Sequence, residues 1–298
     1  MSEYHIPVLL NESIDLLNID GDGIYVDATF GAGGHSREIL NRLGPNSKLL
    51  VFDQDQDATQ NLIEDSRLIF IDSNFRYLEN YLKYYKIDKI DGILADLGVS
   101  SFQFDSEDRG FSYRFDAMLD MRMNQEMSLT ANDLLQTYPE EELIDVFSKY
   151  GEVRNSKTLA KEIVNNRSKA IWTSNRFNSL LDKIRMGQAA KYFAQVYQAI
   201  RIEINDEMGA LKDLLEASKK YLPKGGRMVV ISYHSIEDRI VKNYMKHGNA
   251  KGEMIQDDFG NIDRPFKIIT KQVVVADDEE QRRNSRAKSA KLRAARKL

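Results

Sequence analysis

The sequence predicts an α/β protein built on a doubly wound, mostly parallel sheet that is interrupted once by an all-helical insertion. Three observations carry this expectation. Short apolar runs alternate with amphipathic stretches from Gly23 to Leu97, only helical periodicity follows, and the alternation resumes near Met208.

The predicted strands of the first part are Gly23 to Thr29, Lys48 to Asp53, Arg67 to Asp72 and Gly92 to Leu97. Each is a short apolar run bounded by polar or turn residues, as suits strands covered on both faces by helices. Helices are expected between them, near Ser36 to Leu43, Asp57 to Asp65 and Phe75 to Tyr85. After Leu97 the rhythm stops, and Phe102 to Met127 is polar, aromatic and Arg-bearing without a clean period. Leu143, Val146, Phe147 and Tyr150 then share one helical face, with Pro139 placed to start that helix and Gly151 to end it. Leu159, Ile163 and Val164 mark another helix, and Phe177, Leu180, Leu181 and Ile184 a third. Met208, Leu211, Leu214, Leu215 and Leu222 form an amphipathic helix that leads through a Pro223 to Gly226 turn into a buried strand, Arg227 to Ser232. Phe266 to Ala276 alternates loosely and suits antiparallel edge strands. The chain therefore divides into a sheet domain over 1–107, an inserted helical domain over 108–206, and the rest of the sheet domain over 207–298 with a basic C-terminal tail.

Hydrophobic residues at 42% and charged residues at 30% fit a core-forming globular chain and argue against wholesale disorder. No apolar run reaches the roughly eighteen residues of a membrane span, and Met1 to Glu12 lacks the pattern of a secretion signal, so a cytoplasmic protein is expected. The absence of cysteine excludes disulfides, thiolate zinc sites and thiol nucleophiles. His5, His35, His234 and His247 show no metal-ligand spacing, and no metal is expected. Charge is unevenly spread: Gln281 to Leu298 holds eight basic residues and no acidic one, so the preceding residues carry -12 against -4 for the whole chain. That tail is either a solvated terminus or a surface for a polyanion.

The first strand runs through Asp27, Ala28, Thr29 and Phe30 into Gly31, Ala32, Gly33, Gly34, His35 and Ser36. Glycines at a strand-to-helix turn let backbone approach a ligand, and the helix start favours a carboxylate or phosphate. Ser36 breaks the three-glycine dinucleotide pattern. Asp53 ends the second strand, where a carboxylate can accept both ribose hydroxyls of a nucleoside. Asp72 and Phe75 follow the third strand, placed to bond and stack on an adenine. Taken singly, a strand-end Asp is a helix cap and Phe75 is core; the ordered series points to a nucleoside cofactor. The acid before the glycines and the broken dinucleotide pattern favour S-adenosylmethionine over NAD.

Asp96, Leu97, Gly98, Val99, Ser100 and Ser101 end the fourth strand, with Gln103 just beyond. A carboxylate there can accept hydrogen bonds from an exocyclic amine and aim its lone pair at a methyl group. It can equally be a capping residue.

These residues resemble the bacterial small-subunit (16S) ribosomal RNA cytosine-N4 methyltransferase family. The matching segments are His5, Pro7, Val8, Leu9, Leu10 and Glu12; Asp27 to Ser36; Asp96 to Ser101 with Gln103 and Asp105; Arg109 to Phe115; Leu119 to Met123; Arg201, Ile202, Glu203 and Asn205; Ile231, Ser232, His234, Ser235, Glu237, Asp238 and Arg239; and Ser289 to Arg293. The resemblance implies a Rossmann-like, S-adenosylmethionine-dependent methyltransferase sheet with an inserted helical substrate-recognition domain. It implies cofactor contacts by Gly33, Gly34, His35, Asp53, Phe75, Asp96 and Gln103, and action on one cytosine of the decoding centre near the P site. The implied partner is 16S ribosomal RNA within the small subunit, with the protein as monomer or homodimer. Phe102 stands where the family has Pro, and Lys191 to Gln195 replaces its His-Pro-Ala-x-Arg stretch, removing that Arg.

The lack of Cys excludes the usual thiolate route to C5 methylation, whereas direct in-line transfer to an amine needs no covalent adduct. Asp96 is the expected catalytic residue, positioning the cofactor first and orienting the amine or taking its proton second. Arg109 is expected at a phosphate and His234 near the substrate. For each a plainer role stands beside it: Arg109 paired within a packed loop, His234 satisfying a carbonyl. The aromatics Phe102, Phe104, Phe111, Tyr113 and Phe115 either stack on unpaired bases or pack as core; Trp172, Tyr81, Tyr84 and Tyr85 are assigned to packing. Two other readings remain: an amine methyltransferase of another substrate, and a cofactor-binding assembly factor with little activity.

Overall fold

A computed structural model describes residues 7–100, 103–104, 106–167, 171–256, 260, 262 and 264–298. The chain forms two compact units, Met1–Gly98 with Met208–Leu298, and Val99–Glu207. The helical unit thus begins just past the fourth strand, ahead of the boundary expected at 107/108.

The first unit holds seven strands: β1 Ile24–Asp27, β2 Lys48–Asp53, β3 Leu68–Asp72, β4 Gly92–Asp96, β5 Arg227–Ser232, β6 Phe266–Ile268 and β7 Lys291–Lys297, in the order β3-β2-β1-β4-β5-β7-β6. The first five are mutually parallel, and β7 and β6 continue the sheet antiparallel. Central strands read as unbroken apolar runs because both faces are covered: Leu49, Leu50, Val51 and Phe52 of β2 are all buried. Helix Leu10–Leu17 was not legible as a separate element, yet Ile14 and Leu17 join the sheet core with Val8, Leu9, Val229 and Ile231. The stretch expected as a helix from Asp57 to Asp65 is a short 3-10 turn, Gln56–Asn61. The strand expected over Phe266 to Ala276 is only three residues long, followed by a single bridge from Val274 to Leu292.

The largest departure is at the C-terminus. The basic stretch is helix Asp278–Arg283, a 3-10 turn Ser285–Ser289, and then β7, inserted between β5 and β6. Leu292, Ala294 and Ala295 are buried in it, so four of the eight cations, Lys291, Arg293, Arg296 and Lys297, ride on a core strand instead of a free tail. Net charge masked the few apolar residues, Leu292, Ala294 and Ala295, that bury the segment as a strand.

The helical unit contains Ala131–Thr137, Glu140–Gly151, Ser156–Asn166, Ser174–Ile184 and Ala189–Ile204. A capping box between Thr130 and Asp133 starts the first, and Pro139 precedes the second as expected. Their apolar faces close around Leu143, Phe147, Leu159, Trp172, Phe177 and Tyr197. Trp172 is buried under the Arg176 guanidinium, 4.1 Å from its ring. Tyr192 and Phe193, within the altered Lys191 to Gln195 stretch, are also buried in this core. Tyr81 packs edge-on against Phe52, but Tyr84 is 76% exposed and is a surface residue, contrary to its assignment.

Candidate active site

β1 and β4 lie side by side, and from them the strand order runs outward in opposite directions. Connections leaving to opposite faces open a crevice at the carboxyl edge of such a sheet. β1, β2, β3 and β4 end there on Asp27, Asp53, Asp72 and Asp96. Thr29 ties the two sides of the crevice, its hydroxyl accepting from the Asp96 amide at 2.7 Å.

The glycine turn follows directly from β1. Gly31 has φ 53° and Gly33 φ 74°, both left-handed, and Gly33 immediately precedes helix Gly34–Arg42. A Cβ on Gly31 would meet nothing within 4 Å, whereas one on Gly34 would collide with the Pro7 ring. Asp27 beneath the turn is fully buried, accepting from Ser36 Oγ at 2.6 Å and the Thr29 amide at 3.1 Å. Burial pushes its carboxyl up to about 7 against the pull of those donors. Asp53 accepts from the Gly31 amide at 2.8 Å and the Asp55 amide at 2.9 Å, so β2 braces the turn. Burial raises Asp53 to about 6 despite these donors.

At the end of β4 the two oxygens of Asp96 have different fates. The Tyr233 hydroxyl donates to Oδ1 at 2.7 Å. Oδ2 lies 3.9 Å from His35 Nδ1. His35 Nε2 is 3.2 Å from the Val8 carbonyl, which only accepts, so Nε2 carries the proton and Nδ1 presents a lone pair toward Asp96. Burial lowers His35 to about 4 and keeps it neutral. Burial raises Asp96 to about 7, and the Tyr233 phenol is the first group acting to lower it. Asp96 is still 23% exposed and reachable by a ligand. The pair Oδ2 and Nδ1 is therefore an acceptor site without its own donor, suited to an ammonium or amine.

Gly33, Gly34, His35, Asp53 and Asp96 are thus gathered within the sheet unit. Phe75, partly exposed, opens the turn after β3 at the same edge. Gln103 belongs to the helical unit, where its side-chain oxygen accepts from the Ser100 amide at 3.0 Å. His5, Ser101, Phe102 and Asp105 lie outside the described residues.

Arg109 departs from expectation. It is buried, with Nη2 donating to the carbonyls of Arg122 at 2.8 Å and Met123 at 3.2 Å, so its guanidinium fastens a loop of the helical unit instead of facing a phosphate. Phe111 is buried, and Tyr113 stacks edge-on with Phe193 and Tyr197, which settles both as core. His234 caps helix Ser235–His247: its Nδ1 faces the Glu237 amide at 3.4 Å, and Glu237 returns to the Tyr233 amide at 2.9 Å. Sequence reasoning missed Tyr233 and Thr29. Thr29 lies in the glycine-turn segment but nothing there assigns it a role, and Tyr233 stands in no motif; only the register of β4 beside β5 and β1 brings them to Asp96.

A doubly wound sheet with a glycine turn and carboxylates at its switch point is the architecture of an α/β enzyme that binds a nucleoside cofactor. Residues 2–298 match the model of the MraW methylase family, and the chain belongs to that family. It is a methylase with S-adenosylmethionine as methyl donor, as the resemblance implied. A relative from Bacteroides fragilis (strain YCH46), named "Ribosomal RNA small subunit methyltransferase H", is 53% identical over 99% of this chain and 97% of its own length. One of the same name from Phocaeicola vulgatus is 54% identical over the same shares, 99% and 97%. A solved structure of an rRNA methylase from Streptococcus thermophilus is 12% identical, covering 100% of this chain and 99% of that one at a TM-score of 0.43.

Proposed function

We propose that this chain transfers the methyl group of S-adenosylmethionine to the exocyclic N4 of a cytosine in the decoding centre of 16S ribosomal RNA, acting in the cytoplasm on the small ribosomal subunit. The observation that carries this reading is the acceptor pair Asp96 Oδ2 and His35 Nδ1 beside the glycine turn, in a chain whose curated relatives are named for small-subunit ribosomal RNA.

When bound, S-adenosylmethionine supplies an electrophilic methyl group on a sulfonium. Asp53 accepts ribose hydroxyls, Phe75 offers its ring to the adenine, and the Gly31 to Gly34 turn admits the amino-acid part against backbone. Open space at Gly31 and two positive φ values fit that task. Gln103, in the helical unit, is assigned to the same cofactor. Asp96, fixed at Oδ1 by Tyr233, positions the cofactor and orients the incoming amine. The lone pair of an aromatic amine is delocalised, so orientation dominates over base strength. The proton leaves N4 after transfer, to Asp96 or to water. His234, holding the helix after β5, acts on the substrate side through that helix.

The test is incubation with labelled S-adenosylmethionine and small subunits lacking the modification, followed by nucleoside mass analysis. Label in N4-methylcytidine supports the reading. Label on another base or atom, or cofactor binding without transfer, rejects it.

A further inference from the structure

We propose that Arg227, Arg296 and Lys267, a row at the amino edge of the parallel strands, form a docking surface for the phosphate backbone of the small-subunit RNA, separate from the candidate active site. Arg227 opens β5 and is paired in register with Arg296 of β7, which is in turn paired with Lys267 of β6. Directly opposed residues of antiparallel strands point to the same face, so three cations stand side by side across three adjacent strands.

Like charges so placed repel. Arg227 is held below the ordinary guanidinium range, first by burial and then by Arg296. Among the described residues, none of the three has a carboxylate within ion-pair distance, although residues before Gln281 carry a net -12. Three other half-buried guanidiniums have an acid at hand: Arg293 with Asp238 at 2.6 Å, Arg67 with Asp65 at 2.6 Å and Arg201 with Glu207 at 2.8 Å. β7 shows both cases, since Arg293 has its acid and Arg296 has none among the described residues. A multivalent polyanion laid across the strands supplies the missing counter-charges, and RNA phosphates are spaced to do so.

The location specifies the size of the partner. β5 spans six residues between this row and the aspartate edge, and a strand of that length separates them by roughly 17 Å. An RNA reaching both extends several nucleotides beyond the target base. This inference rests on the proposed RNA substrate, and deepens it.

The experiment measures binding of unmodified small subunits over a range of salt for wild type, R296Q/K267Q and a control, K212Q/K242Q, in which two exposed lysines on helices are lost. For R296Q/K267Q the slope of log affinity against log salt falls by about two, roughly one per lost phosphate contact. The control keeps the wild-type slope, and affinity for S-adenosylhomocysteine is unchanged in both. Removing a like-charge contact also leaves thermal stability at or above wild type. Lys267→Gln alone, at an exposed position, lowers the slope by about one and keeps the test open if Arg296→Gln folds poorly. A wild-type slope in R296Q/K267Q, or an equal fall in the control, overturns the proposal. Salt-dependent subunit binding by a wild-type protein that methylates nothing would defeat the functional reading and leave this surface standing.

Discussion

At the scale of single residues, the account turns on how two oxygens of one carboxylate are divided. Tyr233 holds Asp96 Oδ1 at 2.7 Å, and no cation offsets the burial of Asp96, because His35 is neutral. The groups facing Asp96 are Asp27 of β1, Thr29 just beyond it, His35 from the helix that follows, and Tyr233 and Glu237 beyond β5. Tyr233→Phe removes the first of the groups that favour the ionised form, so Asp96 titrates higher. The acid limb of the rate profile, expected near the Asp96 value of about 7, moves to higher pH, and activity recovers in alkali. Carbon-13 NMR of the Asp96 carboxyl in the free protein reads the same shift; an unmoved titration contradicts the role. Arg109 gives the opposite kind of prediction. Arg109→Ala leaves two buried carbonyls short of a donor, costing about 1–3 kcal/mol for each by chemical denaturation, while the salt dependence of RNA binding stays at wild type. The Arg109 type and its aromatic neighbours could be read in the sequence. That its fork turns inward could not, because the carbonyls it meets lie on a loop thirteen residues away that only tertiary structure brings close.

Among elements, the parallel strands were legible because each is a short apolar run, four of the five ending on an aspartate, and burial on both faces leaves little freedom in their composition. β2 and β5 match the expected bounds of Lys48–Asp53 and Arg227–Ser232. The glycine turn was equally legible, since positive φ at Gly31 and Gly33 is what glycine tolerates without strain. Gly34 serves closeness instead. Gly34→Ala drives a methyl into Pro7 and should cost about 1–3 kcal/mol of stability in thermal or denaturant melts, with weakened cofactor binding. β7 was hidden because its cations suggested a solvated tail, while its buried positions, Leu292, Ala294 and Ala295, are few and mostly small and do not alternate strictly. The consequence is testable. Truncation before Lys291 strips a strand from between β5 and β6, so the protein loses cooperative unfolding by circular dichroism. A truncated chain that melts like the full one would show that the segment is dispensable to the fold.

For the whole molecule, the site acids couple chemistry to stability. Asp27, Asp53 and Asp96 are all raised above the ordinary Asp value by burial, to about 7, 6 and 7. Between roughly pH 4 and 7 the unfolded chain therefore ionises these groups before the folded one does, and folded stability falls as pH rises through that window. Asp27→Asn flattens the fall, measured by denaturant unfolding at a series of pH values; an unchanged slope would place the effect elsewhere. The family could be read from motifs that span the chain, whereas the partners of Asp96 could not, because they follow β1 and β5, strands that flank β4 only in the folded sheet. The most direct measurement uses small subunits whose cytidines carry nitrogen-15 at the exocyclic amine, incubated with wild type and with Asp96→Asn. Wild type should yield one methylated cytidine whose methyl-bearing fragment retains the labelled nitrogen, and Asp96→Asn should yield almost none while the protein remains folded. Methylation on a ring atom, or equal product from both proteins, would contradict the assignment of this crevice.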